Sequence, residues 1–218
     1  KKFSYYMTGR EFDDSRFTPE LGAQAPILEV SNLGVDGAFA DVNLTLRQGE
    51  ILGITGLLGS GRTELALSLF GALPSDKGEI RLEGKPVTLD SIRTAIAHGI
   101  GYVPEDRLTE GLFLERSIGS NIVISEIDSF VSKFGVLDQA GVDAEAARWV
   151  KDLRIATPDP DNAVNTLSGG NQQRIVLAKW LATKPKVLIL NGPTVGVDSG
   201  SKHDIHRILR ELAAEGLA

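Results

Sequence analysis

The chain has 218 residues, 42% of them hydrophobic and 24% charged, a balance that fits one globular domain with a sizeable core. A net charge of −6 argues against a basic nucleic-acid-binding surface, and the absence of cysteine excludes disulfides and zinc-thiolate sites. No apolar run approaches the roughly 20 residues needed to span a bilayer.

Lys1 and Lys2 lead into polar residues and not an apolar stretch, so no signal peptide is expected. The chain starts without methionine and stops at EGLA, directly after a helical pattern. It therefore reads as a piece of something longer, truncated on its C-terminal side. Residues 1–25 mix aromatic, charged and Pro/Gly residues without a period; a linker or arm is expected there, with a short docked helix as the alternative. ILEVSNL, FADVNLTL and ILGITG follow as β-rich stretches separated by polar turns. RTELALSLFGALPS has helical spacing and closes on Gly and Pro. EIRLEGKPVTL predicts two short strands around Glu83-Gly84-Lys85. From about Ser117 the pattern turns helical, and Val142, Ala146, Val150 and Leu153 fall on one stripe. LSGGNQQRIVLAKWLAT opens a further helix, KVLIL reads as a buried strand, and Ile205, Ile208, Leu209 and Leu212 share one face of a last helix. Strand, glycine loop, helix and strand again argue for a parallel α/β core.

GLLGSGRT, Gly56 to Thr63, follows the ILGIT stretch and opens a helix. It keeps the G-x-x-x-x-G-[K]-[ST] spacing with Arg62 where lysine is usual. Glycines at Gly56, Gly59 and Gly61 let backbone N–H groups, with that of Ser60, converge on phosphate oxygens, and the helix N-terminus adds its positive end. Arg62 keeps the charge in a planar fork, and the Thr63 hydroxyl is suited to a magnesium shell. The plain alternative is a glycine turn that merely starts a helix.

LSGGNQQR, Leu167 to Arg174, is a second helix N-terminus able to donate N–H groups to an anion; Ser168 as an ordinary N-cap is the plainer reading. In this order the motifs resemble the ATP-binding-cassette (ABC) ATPase family over residues 26–218. GLLGSGRTEL, YVPEDR and LSGGNQQR together look like the second cassette of the fused double-cassette ATPases of bacterial simple-sugar importers, and MTGRE, Met7 to Glu11, is similar to their inter-cassette linker. The resemblance implies a P-loop NTPase fold: a RecA-like core, an antiparallel β subdomain and a helical subdomain carrying the signature. On that template 1–25 is an arm from a preceding cassette, and 26–110 holds the β subdomain with the phosphate-loop half of the core. Residues 111–165 form the helical subdomain, and 166–218 the signature helix and the remaining, incomplete core.

The resemblance further implies ATP and Mg2+ as ligands, with two cassettes facing head to tail. Gly56, Gly59, Ser60, Gly61, Arg62 and Thr63 would bind ATP at the chain's own site. Ser168, Gly169, Gly170, Asn171 and Gln172 would serve the partner's ATP. Glu105 stands where many cassettes put a magnesium-contacting glutamine, and Asp198 lies in the loop connecting the two sites. Implied partners are a second cassette, transmembrane permease subunits and, indirectly, a periplasmic sugar-binding protein. The implied place is the cytoplasm, on the inner face of the membrane.

The departure lies in LILNGPT. The family pattern has Asp-Glu-Pro-Thr there; this chain has Asn191-Gly192-Pro193-Thr194. Magnesium is usually held by one or two carboxylates plus phosphates, and Asn191 brings no charge. A positioned general base is worth roughly 10²–10⁴-fold in rate, and Gly192 has no side chain to provide one. Glu105 either replaces part of that charge or is a solvated turn residue. The expectation is a cassette that holds nucleotide and hydrolyses it poorly. Three readings compete: a transporter motor half, a binding and assembly module whose partner hydrolyses, and a non-transport ABC ATPase acting on DNA or ribosomes. The acidic charge and the NQQ signature count against the third.

Overall fold

The computed structural model describes residues 25–218. Residues 1–24 of the expected arm, 1–25, with the MTGRE segment among them, lie outside the described residues. Two sheets and a set of helices share one hydrophobic core.

The first sheet is antiparallel. Strands β1 (Pro26–Val35), β2 (Phe39–Arg47), β3 (Lys77–Leu82) and β4 (Lys85–Val87) run in the order β2-β1-β3-β4. Ile27, Leu28, Val30, Leu33 and Val35 of β1 are buried, so this central strand supplies most of the inward face. The β3–β4 hairpin turns at Glu83-Gly84, where both residues have positive φ, as a two-residue turn demands. Helix α1 (Arg62–Leu69) follows β2 through the glycine loop and buries Leu65, Ser68 and Leu69.

The second sheet is parallel and small: β5 (Ile100–Val103), reached from helix α2 (Ile92–Ala97), pairs with β6 (Val187–Leu190) in the register Ile100↔Val187 to Val103↔Leu190. On the other edge of β6 the Leu188 N–H donates to the Ala218 carbonyl at 2.8 Å, and the Ala218 N–H donates to Lys186 at 3.2 Å. That is one further parallel bridge. Phe70 stacks on Tyr102 of β5 at 5.0 Å and meets Trp180 edge-on at 5.2 Å, tying the end of α1 to both neighbours.

Helix α3 (Ile118–Val123) and helix α4 (Gln139–Asp152) pack with helix α5 (Gly169–Ala182). In α5, Ile175, Val176, Leu177 and Ala178 have no exposed surface. This helix is buried nearly all round, which is why its sequence lacks a polar face. The expected α4 stripe is present: Val142, Ala146 and Leu153 are buried and Val150 packs against them. Buried Asn121 closes the corner before α3 by exchanging hydrogen bonds with the Phe113 N–H (2.8 Å) and carbonyl (3.0 Å). The last helix, α6 (Ser199–Ala214), seats Ile205 and Ile208 in the core.

One expectation is corrected. ILGIT does not form a strand; residues 51–60 are exposed and join no ladder. A cavity of about 760 Å3 separates Ile51, Leu52 and Ile54 from β6, so the backbone groups of this stretch have no adjacent strand to pair with. Apolar β-prone sequence makes a strand only where a neighbour accepts its hydrogen bonds. The parallel part of the core is correspondingly narrower than the sequence pattern predicts.

Candidate functional site

The glycine loop begins the site. Gly59 and Gly61 have φ of 75° and 83°, the left-handed region that side chains with a Cβ rarely enter. A Cβ on Gly61 would also sit 2.5 Å from the Ala38 carbonyl oxygen. Gly61 is the N-cap of α1, so the N–H groups of the first turn emerge just past the loop. Arg62 extends across it: Nη1 donates to the Gly56 carbonyl at 2.7 Å. Ser60 folds back on the same loop, its N–H donating to the Leu57 carbonyl at 3.1 Å. Thr63 is half-buried in the first turn.

Across the cavity lie the carboxyl ends of β5 and β6. Because Val103 pairs with Leu190, the chains leave the sheet side by side, one into Pro104-Glu105 and the other into Asn191-Gly192. The Asn191 N–H donates to the Val103 carbonyl at 2.9 Å, and its side-chain amide reaches the Tyr102 hydroxyl at 3.4 Å. Burial raises the Tyr102 phenol above its ordinary pKa, and the hydrogen bond from Asn191 works against that rise. Arg62, Glu105, Asn191 and Gly192 all border the one cavity. The structure thus brings the loop cation, the two altered positions and the acidic turn residue to a common space.

His206 borders the same cavity from α6. Desolvation, helped by Arg210, lowers its pKa.

The signature is built differently from its sequence reading. α5 starts at Gly169, so both glycines lie in its first turn, and the Ser168 side chain forms no cap to the backbone; it accepts instead from Asn171 Nδ2 at 3.1 Å. Asn171 and Gln172 turn toward their own chain. Asn171 Oδ1 accepts from the Ala156 N–H at 2.9 Å, and Gln172, buried, reaches the Val164 carbonyl at 3.4 Å. The outward-facing groups are therefore Ser168 and the first-turn backbone of Gly169, while Gly170 is buried against Ser201. Asp198 caps α6, accepting from the Ser201 hydroxyl at 2.7 Å and the Ser201 N–H at 3.0 Å. The hydroxyl contact, then the backbone ones, hold its carboxyl below the usual range.

Sequence reasoning missed Arg107. It opens a π-helical turn, Arg107–Gly111, capped by Asp106. Its guanidinium donates to the carbonyls of Val195 (2.9 Å) and Gly196 (3.2 Å), and Nε lies 3.5 Å from Gln172 Oε1. A Cβ on Gly169 or Gly196 would come within 2.8 or 3.1 Å of the same guanidinium. One side chain thus fastens the loop after β6 to the first turn of α5. The far end of the π turn is held by Lys179, buried in α5, whose ammonium donates to the Gly111 carbonyl at 2.6 Å. Burial pulls its pKa down to about 8. The only signal for either was a charged residue inside a motif or an apolar run.

For a metal ion, Glu105 and Asn191 border the cavity, and Thr63 stands beside Arg62 in the first turn of α1. Among the described residues no group of three His, Cys, Asp or Glu side chains gathers. An all-oxygen set with few protein ligands suits magnesium, which keeps water and phosphate oxygens in its shell.

The ABC transporter family profile matches residues 39–195. Similar chains include a putative ribose/galactose/methyl galactoside import ATP-binding protein of Rhizobium etli, 49% identical over 212 residues that cover 97% of this chain and 40% of the relative. A ribose import ATP-binding protein of Lacticaseibacillus paracasei is 45% identical over 214 residues, covering 97% and 42%. This chain spans about two fifths of the length of such relatives. Among solved structures, an ATP-binding cassette of an ABC transporter in its ADP conformation superposes with a TM-score of 0.76 at 25% identity, covering 89% of this chain and 79% of that one. Among the described residues no helix is long and apolar enough to cross a membrane.

Proposed function

The chain belongs to the ABC transporter family of ATP-binding cassettes, and from that premise we propose that it is a sugar-importer cassette that binds magnesium-ATP and hydrolyses it slowly at its own site. The observation that carries this reading is the convergence of Arg62, Glu105, Asn191 and Gly192 on one cavity beside a glycine loop. Backbone N–H groups of Gly59 to Thr63 and the Arg62 guanidinium would take the triphosphate, as helix N-termini and forked cations do. Thr63 and Asn191 would hold magnesium, which when bound offsets phosphate charge, and the Glu105 carboxylate stands at the rim of the same cavity. Asn191 and Gly192 replace two carboxylates with a neutral amide and no side chain. The loss of a positioned base raises the barrier by about 3–5 kcal/mol.

Ser168, Gly169 and Gly170 would close on the nucleotide of a second cassette, with Asp198 in the loop between the two sites. That second cassette is proposed to be the other half of the same polypeptide, given that the matched relatives are more than twice as long. Permease subunits at the inner face of the membrane, and through them a periplasmic sugar-binding protein, complete the proposed assembly. A nucleic-acid partner finds no support in a chain of net charge −6.

The test is equilibrium binding of a fluorescent magnesium-ATP analogue, followed by single-turnover cleavage. Micromolar binding that falls at least tenfold in Arg62→Ala, with cleavage far slower than in a cassette carrying both carboxylates, is the expected result. Binding indifferent to Arg62, or rapid cleavage assigned to this loop, refutes the reading.

A further inference from the structure

The carboxylate absent at Gly192 in the sequence is present beside it in space. A Cβ on Gly192 would lie 3.3 Å from Glu105 Cγ and 3.7 Å from its carboxyl carbon. A glutamate's own carboxyl carbon stands about 2.5 Å from its Cβ, two bonds of roughly 1.5 Å at a tetrahedral angle. Glu105 therefore puts its carboxyl group about 1 Å beyond the shell that a glutamate at 192 would reach.

The sheet explains the coincidence. Val103 and Leu190 are the last paired residues of β5 and β6, so Glu105 and Gly192 are each two residues past the same rung. Parallel strands deliver equivalent positions to the same edge, and ligands of open α/β sheets collect at that carboxyl edge. Glu105 and Gly192 also border the cavity that Arg62 enters from the loop side.

A turn residue with a local task would be a plainer account, but the task is already taken. Asp106 caps the π turn, accepting from the N–H groups of Leu108 (2.9 Å) and Thr109 (3.4 Å). Glu105 is exposed, and among the described residues it has no hydrogen-bond or ion-pair partner. Gly192 meanwhile has φ of 60°, a backbone state that a glutamate would enter only with strain.

We propose that Glu105 serves this site as the catalytic carboxylate in place of residue 192. The proposal rests on the nucleotide-cassette reading above. As a water oxygen bonds to the γ-phosphorus of ATP, its proton passes to the Glu105 carboxylate. The bond from that phosphorus to the β–γ bridging oxygen breaks, and its electron pair leaves on ADP. Glu105 then returns the proton to the phosphate product. A base carried on the β5 side and set back from the 192 position gives the slow cleavage of the cassette a specific chemical source.

The experiment uses the intact protein containing this chain, with the partner cassette's own site disabled. Magnesium-ATP-analogue affinity, single-turnover cleavage and melting temperature are measured for wild type, Glu105→Gln, Glu105→Ala, Gly192→Glu and the exchange Glu105→Ala/Gly192→Glu. Glu105→Gln is expected to bind nucleotide within about threefold of wild type and to cleave it roughly 10²-fold more slowly. Gly192→Glu should lower the melting temperature more when Glu105 is present than when it is trimmed to alanine. The exchange should recover at least about tenfold of the cleavage lost in Glu105→Ala. Cleavage by Glu105→Gln at the wild-type rate, or a wild type no faster than that variant, overturns the proposal while leaving nucleotide binding intact. A wild type that binds no nucleotide overturns the cassette reading itself, and this inference with it.

Discussion

Arg107 donates to the carbonyl of Val195 at 2.9 Å across 88 residues of sequence, and the same guanidinium touches Gly196 and Gln172. Two carbonyls and an amide oxygen are satisfied by one rigid fork, the geometry guanidinium supplies and ammonium does not. Arg107→Met should therefore free the loop after β6 and the first turn of α5 together. Amide hydrogen exchange at residues 194–198 and 169–172 should accelerate at least about tenfold in both segments, as loss of charge-assisted bonds worth about 1.5–3 kcal/mol each allows. Arg107→Lys should restore only part of the protection. Acceleration in one segment alone would show that the clamp does not join them.

Lys179 gives a pH dependence with a definite sign. Its folded pKa, about 8, lies below the ordinary 10.5, so the unfolded chain binds the proton more tightly between those values. Stability from this group rises as pH climbs from about 8 toward 10.5, and below 8 the full cost of burying the charge applies. The difference amounts to about 3 kcal/mol at most. Urea unfolding of wild type and Lys179→Met from pH 7 to 10 should give curves whose separation changes with that slope. Parallel curves would mean the ammonium is better solvated than its burial indicates.

Gly170 faces Ser201. A Cβ there would lie 2.1 Å from the Ser201 Oγ and 2.7 Å from its Cβ, and that hydroxyl is half of the Asp198 cap. Gly170→Ala should displace Ser201 and cost about 1–2 kcal/mol through the lost cap. Adding Ser201→Gly should relieve the clash while leaving the cap loss. Thermal melts of the two variants decide it: an unchanged melting temperature in Gly170→Ala would show that the helices part without penalty.

Asp198 itself should matter in the acid range. Its folded pKa is depressed, chiefly by the Ser201 hydroxyl, so its contribution is present above the ordinary carboxylate value and is lost as pH falls through the folded one. Asp198→Ala should cost about 1 kcal/mol at pH 7, and the difference from wild type should vanish toward pH 2. A difference that persists at pH 2 would point to packing and not to the cap.

Much of this was legible in the chain. The loop at Gly56–Thr63, the signature and the α4 and α6 stripes follow from spacing, because side-chain period and helix capping are local. ILGIT misled because its β propensity is local while its pairing is not: a strand needs a neighbour, and here a cavity stands in that place. Asn171 and Gln172 looked outward on the motif's authority, yet they hold the loop before α5. Glu105 and Gly192 are 87 positions apart, and only the in-register pairing of β5 with β6 makes them neighbours. Arg107 and Lys179 carried no pattern at all, since a single charged side chain does not announce which carbonyl it will find.

The contact between Arg62 and the Gly56 carbonyl has a consequence for how the loop fills. An incoming anion that takes the Nη1 hydrogen now held by an oxygen of the loop itself trades one bond for another there, so entry gains less than the count of contacts suggests. Since guanidinium keeps its charge at every physiological acidity, protons cannot loosen this latch; only a stronger acceptor can.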